Sequence, residues 1–410
     1  MMNKLAKAIT TALALGLSAT ASAGFYVSSG DIYDGNGNKF VMRGVNHAHT
    51  WFPDKLTQSL TDIASTGANT VRVVLSNGHK WSKTSANDVA NIIQKAKDNK
   101  MVVVLEVHDT TGYSEDTGAA SLASATNYWL EIKDKLIGQE DYVIINIGNE
   151  PFGNGFNASD WINDHKTAIT QLRHAGLDHT FIIDAPNWGQ DWQFVMRDNA
   201  QQVFNHDPDK NVVFSVHMYE VFNTYSKINN YMSSFSNNGL PLIIGEFAAT
   251  HKDFDVDEGS IMSLAVNNQV GYLGWSWDGN DTSYGEIDVV NNWDAGSLTT
   301  WGEILLNSSN GITATSQLST IYTAGSSNGG NNNDNNNGNS HPNCSSASAD
   351  PDGDGWGWEN NQSCIVVATT STHAPNGFAY CSSSSADPDN DGWGWENSAS
   401  CVVRGSSADY

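Results

Sequence analysis

The stretch "VIINIGNE", residues 143–150, is an apolar run of strand length that ends on an amide and a carboxylate, with Pro151 directly behind it. A run this short and rich in Val and Ile reads as a buried strand rather than a helix. The proline fixes the turn and biases Glu150 toward extended geometry. Seven more runs share this character: "FVMRGVN" (40–46), "TVRVVL" (70–75), "VVVLEVH" (102–108), "TFIIDA" (180–185), "VVFSVHMY" (212–219), "PLIIGEF" (241–247) and "GYLGWSW" (271–277).

Amphipathic stretches separate the runs. In Ser159 to Gly176, Trp161, Ile162, Ala168, Ile169 and Leu172 share a face, with Ser159 as cap and Gly176 as stop. Eight buried strands alternating with helices over residues 24–325 predict an α/β fold, a (β/α)8 TIM barrel, with an open doubly wound sheet as its competitor. In a barrel the carboxyl ends of the strands converge on one face. Arg72, His108, Asn149, Glu150, His217, Tyr219, Glu246 and Trp275 all lie within or at the end of a run, and so are expected there.

The flanks read differently. Lys4 and Lys7, an apolar run to Leu17 and "ATASA" before Gly24 make residues 1–23 a signal peptide, so a secreted protein is expected. No later segment has the length a bilayer requires. The formal charge of −25, made more negative by loss of the leader, gives no basic surface for nucleic acid or an anionic membrane. Residues 326–340 contain only Ser, Asn, Gly and Asp and read as a linker.

Beyond the linker the chain repeats: Cys344 to Cys364 returns as Cys381 to Cys401 with the same spacing. In an exported chain each pair most simply closes one disulfide, giving small modules at 341–366 and 378–403, although four cysteines allow other pairings.

Glu150 and Glu246 end the fourth and seventh runs, so a barrel brings them to opposite sides of one cleft. Paired carboxylates are what glycosidic cleavage requires, one to protonate the leaving oxygen and one to meet the sugar carbon. The plainer reading, in which each glutamate meets a helix dipole or an arginine, suits one such residue better than two. A metal centre built on His108, His217 and the glutamates is disfavoured, because no close ligand pair such as HExxH lies near them. No cofactor is called for.

"NIGNEP", "SVHMY", "IIGEF" and "GWSW", in that order, resemble glycoside hydrolase family 5. "RGVNHAHTWF", "NTVRVVLSNG", "VLEVHDTTGY" and "LGWSWDGN" are most similar to its bacterial endo-β-1,4-mannanases. The resemblance implies a retaining hydrolase in which Glu150 is the acid/base and Glu246 the nucleophile. Arg72 and Tyr219 are then expected to hold Glu246 ionised and His217 to flank Glu150. It also implies that His108 and Asn149 line the reacting sugar's site over a floor of Trp275. His47, His49, Trp51 and Trp188, placed in loops on the same face, are expected as further sugar contacts. An endoglucanase of the same family is the nearest alternative, and a barrel that only grips glycan is the alternative from another class. The expected partner is a mannan-class polysaccharide, met by a monomer.

"GWGWEN" between paired cysteines resembles the family 10 carbohydrate-binding modules, with fewer cysteines and an added "DPDGD" or "DPDND". Trp356, Trp358, Trp393 and Trp395 are the stacking candidates, against a role as a tiny core. Asp350, Asp352 and Asp354, with Asp387, Asp389 and Asp391, alternate like the first half of a calcium loop, weighed against a solvated acidic turn.

Overall fold

The computed structural model describes residues 24–323 except 253 and 282, together with strands at 356–359, 362–365, 393–396 and 399–402. The expected leader and linker lie outside the described residues. By its contacts the chain divides into Met1–Ala324 and Gly325–Tyr410.

The eight apolar runs form eight parallel strands: β1 (Arg43–His47), β2 (Thr70–Leu75), β3 (Val102–Val107), β4 (Val143–Asn146), β5 (Phe181–Asp184), β6 (Val212–Met218), β7 (Leu242–Phe247) and β8 (Gly271–Gly274). They pair in sequence order, and β8 closes on β1 through Tyr272 opposite Arg43, so the sheet is a closed barrel and not an open one. The outer ring is α1 (Leu56–Ser65), α2 (Ala86–Asp98), α3 (Leu122–Ile132), α4 (Ala158–His174), α5 (Val195–Phe204), α6 (Tyr225–Ser236), α7 (Glu258–Asn267) and α8 (Thr300–Asn307).

Helix α4 shows why its sequence reads as a helix and where the reading slips. It buries Trp161, Ala168, Ile169 and Leu172, and Gly176 follows its end in the left-handed conformation at φ +84° that glycine adopts freely. Its cap is Asn157 rather than Ser159, and Ser159 lies in the first turn. Asp160 in that turn favours the helix dipole wherever the cap falls, so the start is fixed less sharply than the stop.

Strand alternation divides the lumen into two layers. Val102, Val104, Ile144, Ile182, Val213, Ile243 and Leu273 point inward near the amino end and form an apolar plug with Phe25, Ile32, Phe40 and Met42. An antiparallel hairpin, Tyr26–Ser28 with Asp31–Tyr33, covers that end. One step up, the same inward face carries Arg72, Glu106, Asn146 and Asp184, all buried. A register shift between Val216 and His217 turns His217 opposite Glu246. The polar layer thus lies on an apolar floor.

In the second unit, Trp356–Glu359 pairs antiparallel with Gln362–Ile365, and Trp393–Glu396 with Ala399–Val402. Gly357 faces Cys364 and Gly394 faces Cys401 across the two ladders. Trp393 is partly buried and Cys401 is buried. The side chains of Trp356, Trp358, Trp395 and Cys364 lie outside the described residues, as do Cys344, Cys381 and all six tail aspartates.

Candidate active site

The site grows from Arg72. Its guanidinium stands in the upper lumen, and Nη1 donates to Glu246 Oε1 at 2.8 Å and Asn46 Oδ1 at 2.9 Å. Nη2 donates to Asn149 Oδ1 at 2.6 Å and Asn146 Oδ1 at 2.9 Å. Burial alone lowers the pKa of such a group, but the charges of Glu106, Glu246 and Asp184 outweigh it and raise Arg72 further. It is a permanent cation.

Glu246 is the penultimate residue of β7, with both oxygens engaged. Oε1 meets Arg72 and Oε2 accepts from Tyr219 Oη at 2.9 Å. Burial is the strongest influence and pushes its pKa up, the charge of Glu150 adds to it, and His217 and Arg72 oppose both. The two hydrogen bonds are those the resemblance implies, but the net direction is upward, against the ionised state expected of them, because burial outweighs the cations.

Glu150 stands four residues beyond the end of β4. Its φ is +41°, which corrects the extended geometry read from Pro151. Two long-range hydrogen bonds override the local bias: its N–H donates to Asp184 Oδ2 at 3.2 Å, and its carbonyl accepts from Gly112 at 3.0 Å. His217 Nδ1 lies 2.7 Å from Glu150 Oε1 and 3.4 Å from Glu246 Oε2, while its Nε2 lies 3.3 Å from Asp184. Burial lowers the pKa of His217, yet Glu246 and Asp184 overturn that and lift it to about 10. Asp184 moves the other way: burial raises it, and the partner imidazolium and Arg72 bring it down to about 2.

One oxygen of Glu150, one nitrogen of His217 and one oxygen of Glu246 all lie within 4.8 Å of one another. Such a triad has the donors of a metal site. Both ring nitrogens of His217 face carboxylates, Nδ1 that of Glu150 and Nε2 that of Asp184, an arrangement that suits hydrogen bonding between them.

Asn149 lines the cleft and is already partnered, since its Nδ2 donates to Thr111 Oγ1 at 2.8 Å. His108 is turned by Glu106 at 2.9 Å, and burial, which lowers its pKa, is outweighed by Glu106, which raises it. The His108 ring stacks on Trp275 with centroids 5.7 Å apart. Trp275 donates from Nε1 to Asn280 Oδ1 and lines the cleft with Tyr284. Trp51 is exposed and meets His108 edge-on at 5.2 Å, next to Trp81. Trp188 lines an adjoining cavity that shares Glu150 and Tyr219 with the cleft.

Two expectations fail. His47 lies on β1 and not in a loop, is wholly buried, and packs against Trp293 at 6.2 Å. His49 is also buried and turned away to Asp88 at 2.9 Å. Neither lines the cleft around Glu150 and Glu246. Sequence reasoning also passed over Glu106, Asn146 and Asp184. Each is a lone polar residue on the inward face of an otherwise apolar run, the same signal that marks Arg72.

This geometry, a closed parallel barrel with two glutamates facing each other across its carboxyl end, is that of a carbohydrate-cleaving barrel. Residues 33–281 match the family described as cellulase (glycosyl hydrolase family 5), and the chain belongs to it. Residues 333–366 and 370–403 match a family described as a cellulose or protein binding domain. The chain is 54% identical over 363 residues to a mannan endo-1,4-beta-mannosidase of Cellvibrio japonicus (strain Ueda107), covering 88% of this chain and 84% of that protein. It is 49% identical to an enzyme of the same name from Streptomyces lividans, covering 87% and 92%. Among solved structures, a beta-mannanase from Thermomonospora fusca superposes with a TM-score of 0.72 at 50% identity, covering 73% of this chain and 99% of that one.

Proposed function

We propose that the chain is a secreted endo-β-1,4-mannanase that cleaves internal bonds of mannan, glucomannan or galactomannan by a retaining double displacement. The observation that carries the mechanism is the approach of Glu150 and Glu246, with oxygens within 4.8 Å. Retaining enzymes hold their carboxyl groups about 5–5.5 Å apart, whereas inverting ones leave about 6.5–9.5 Å for a water. The names of the relatives support the substrate.

In the first step Glu246 attacks the anomeric carbon to form a glycosyl ester while Glu150 protonates the departing oxygen. Arg72 and Tyr219 fix both oxygens of Glu246, so it is aimed before the sugar arrives. In the second step Glu150 takes a proton from water, which releases the sugar with its configuration kept. His217, hydrogen-bonded to Glu150, steadies the carboxyl through both states. Carboxylates do all of this chemistry, and no cofactor enters it.

The leader would direct export, the enzyme would act as a monomer, and the cystine modules would hold it near a polysaccharide surface. Pairing of Cys344 with Cys364 and of Cys381 with Cys401 would staple them, and the aspartate turns offer a calcium half-loop. Chelation that leaves tail unfolding unchanged would remove the calcium role.

Reducing-sugar release from linear mannan and from soluble cellulose, side by side with Glu246→Ala, tests the function. Release from mannan, lost in a variant with unchanged near-UV circular dichroism, is expected. Proton NMR during early turnover should show the β-anomer first. Substantial residual turnover by the variant would sink the assignment of the nucleophile, and release from cellulose alone would move the substrate.

A further inference from the structure

Glu115 lies on the loop after β3, and its carboxylate reaches across to the loops after β4 and β5. Its Oε2 accepts from the backbone N–H of Asn154 at 2.6 Å and from Trp188 Nε1 at 2.7 Å. Asn154 carries the restraint onward, because its Oδ1 accepts from Trp192 Nε1 at 2.9 Å. Both indole N–H groups are thereby engaged by protein, which leaves the flat ring faces as what these residues can offer a ligand. Ring faces, negative over the π cloud, suit the polarised C–H face of a pyranose, and the glycosidase reading makes that the ligand expected here.

The clamp is built in. A Cβ on Gly112 would stand 2.3 Å from the Trp188 ring, and one on Gly153 would stand 2.7 Å from Glu115 Cβ. Trp188 sits between Asn187 and Gly189 in three successive left-handed residues, at φ 57°, 55° and 71°. Such a backbone needs an outside hold, and Glu115 is positioned to give it. The carboxyl of Glu115 is held below its usual range by the N–H groups of Asn154 and Trp188, so the contact persists into acid.

The two rings line a cavity of about 360 Å³ whose wall includes Glu150, Tyr219 and His251 but not Glu246. It therefore opens on the acid/base side, where the departing half of a chain is protonated.

We propose that Glu115 is a positioning residue that clamps Trp188 and Trp192 as the floor of a leaving-side site for hexopyranose units, and so sets which bond of a chain is cut. This rests on the glycosidase reading above and adds the residues that hold the departing half.

The test compares full-length wild type with Glu115→Ala, Glu115→Gln and Trp188→Ala on mannohexaose and on β-mannobiosyl fluoride, which carries no leaving-side sugar. Loss of one ring contact should raise KM for mannohexaose roughly tenfold more than it lowers fluoride hydrolysis. Cleavage should move toward bonds that place fewer sugars beyond Glu150. Glu115→Gln, which keeps a carbonyl acceptor for the indole, should restore most of the wild-type product pattern. A wild-type pattern from Glu115→Ala, or equal losses on both substrates, overturns the clamp. Wild type that cuts cellohexaose but not mannohexaose overturns the substrate instead, and the clamp is then judged on that chain with cellobiosyl fluoride.

Discussion

At the scale of single residues, Glu150 is held in a backbone conformation that a glutamate avoids, at a cost of about 1–3 kcal/mol. Asp184 and Gly112 hold it there, and a side-chain-free neighbour leaves room for its carboxyl. A Cβ on Gly189 would lie 2.7 Å from Glu150 Oε1 and from the His217 ring, and Gly189 itself has φ +71°. Gly189→Ala is therefore expected to displace both groups. A shift of about 1 Å in a reacting group costs on the order of a hundredfold in rate, so kcat should fall by that order while circular dichroism stays native. An alanine variant within a fewfold of wild type would show that the pair has slack. The identity of Glu150 is legible from "NEP", but its conformation is not, because the bonds that impose it come from residues 34 and 38 positions away.

At the scale of elements, the division of each strand into an apolar lower step and a polar upper step explains both what the sequence reveals and what it hides. The runs are legible because all eight are buried on both faces. Arg72 and Glu246 are conspicuous within them, yet Glu106 in "VVVLEV" and Asp184 in "FIID" carry the same mark and differ only in lacking a role that a motif supplies. His47 misleads for the opposite reason: its polarity suggests a ligand contact, while β1 runs one residue further than its apolar stretch and takes the ring into the wall. The amino-terminal hairpin has its own task. Phe25 and Phe40, which flank it in sequence, pack together in the plug with ring centroids 5.1 Å apart. Phe40→Ala should cost about 3–5 kcal/mol in urea unfolding with little change in KM, since the plug lies at the other end of the lumen. A matching loss of substrate affinity would mean that the two layers are coupled.

At the scale of the whole molecule, buried titratable groups bracket stability from both sides of neutrality. His217 is raised to about 10, so its contribution is complete below its ordinary 6.5 and is lost as pH climbs through about 10. His47, lowered to about 3 chiefly by burial, and His165 and His179, lowered to about 4 by burial, behave in the reverse sense. Their contribution holds above 6.5 and drains away as pH falls toward those values. Denaturant midpoints of residues 24–324 should peak near neutrality and decline on both sides. His217→Gln should flatten the alkaline limb alone, and an unchanged limb would refute the charge assigned to His217. A further whole-molecule feature is the carboxylate of Asp34. One oxygen accepts from the backbone of Asn36 and Asn38, and the other accepts from Ser319 and Thr320 near the other end of the domain's sequence. Asn36 Nδ2 also lies 3.2 Å from Thr320 Oγ1. The first and last strokes of the barrel are thus knotted at one point beneath the plug, away from the cleft. In topological terms the domain is already nearly a ring: a short bridge would close it, and the chain could be reopened at a helix-to-strand turn on the plug side without cutting a segment that carries a catalytic atom.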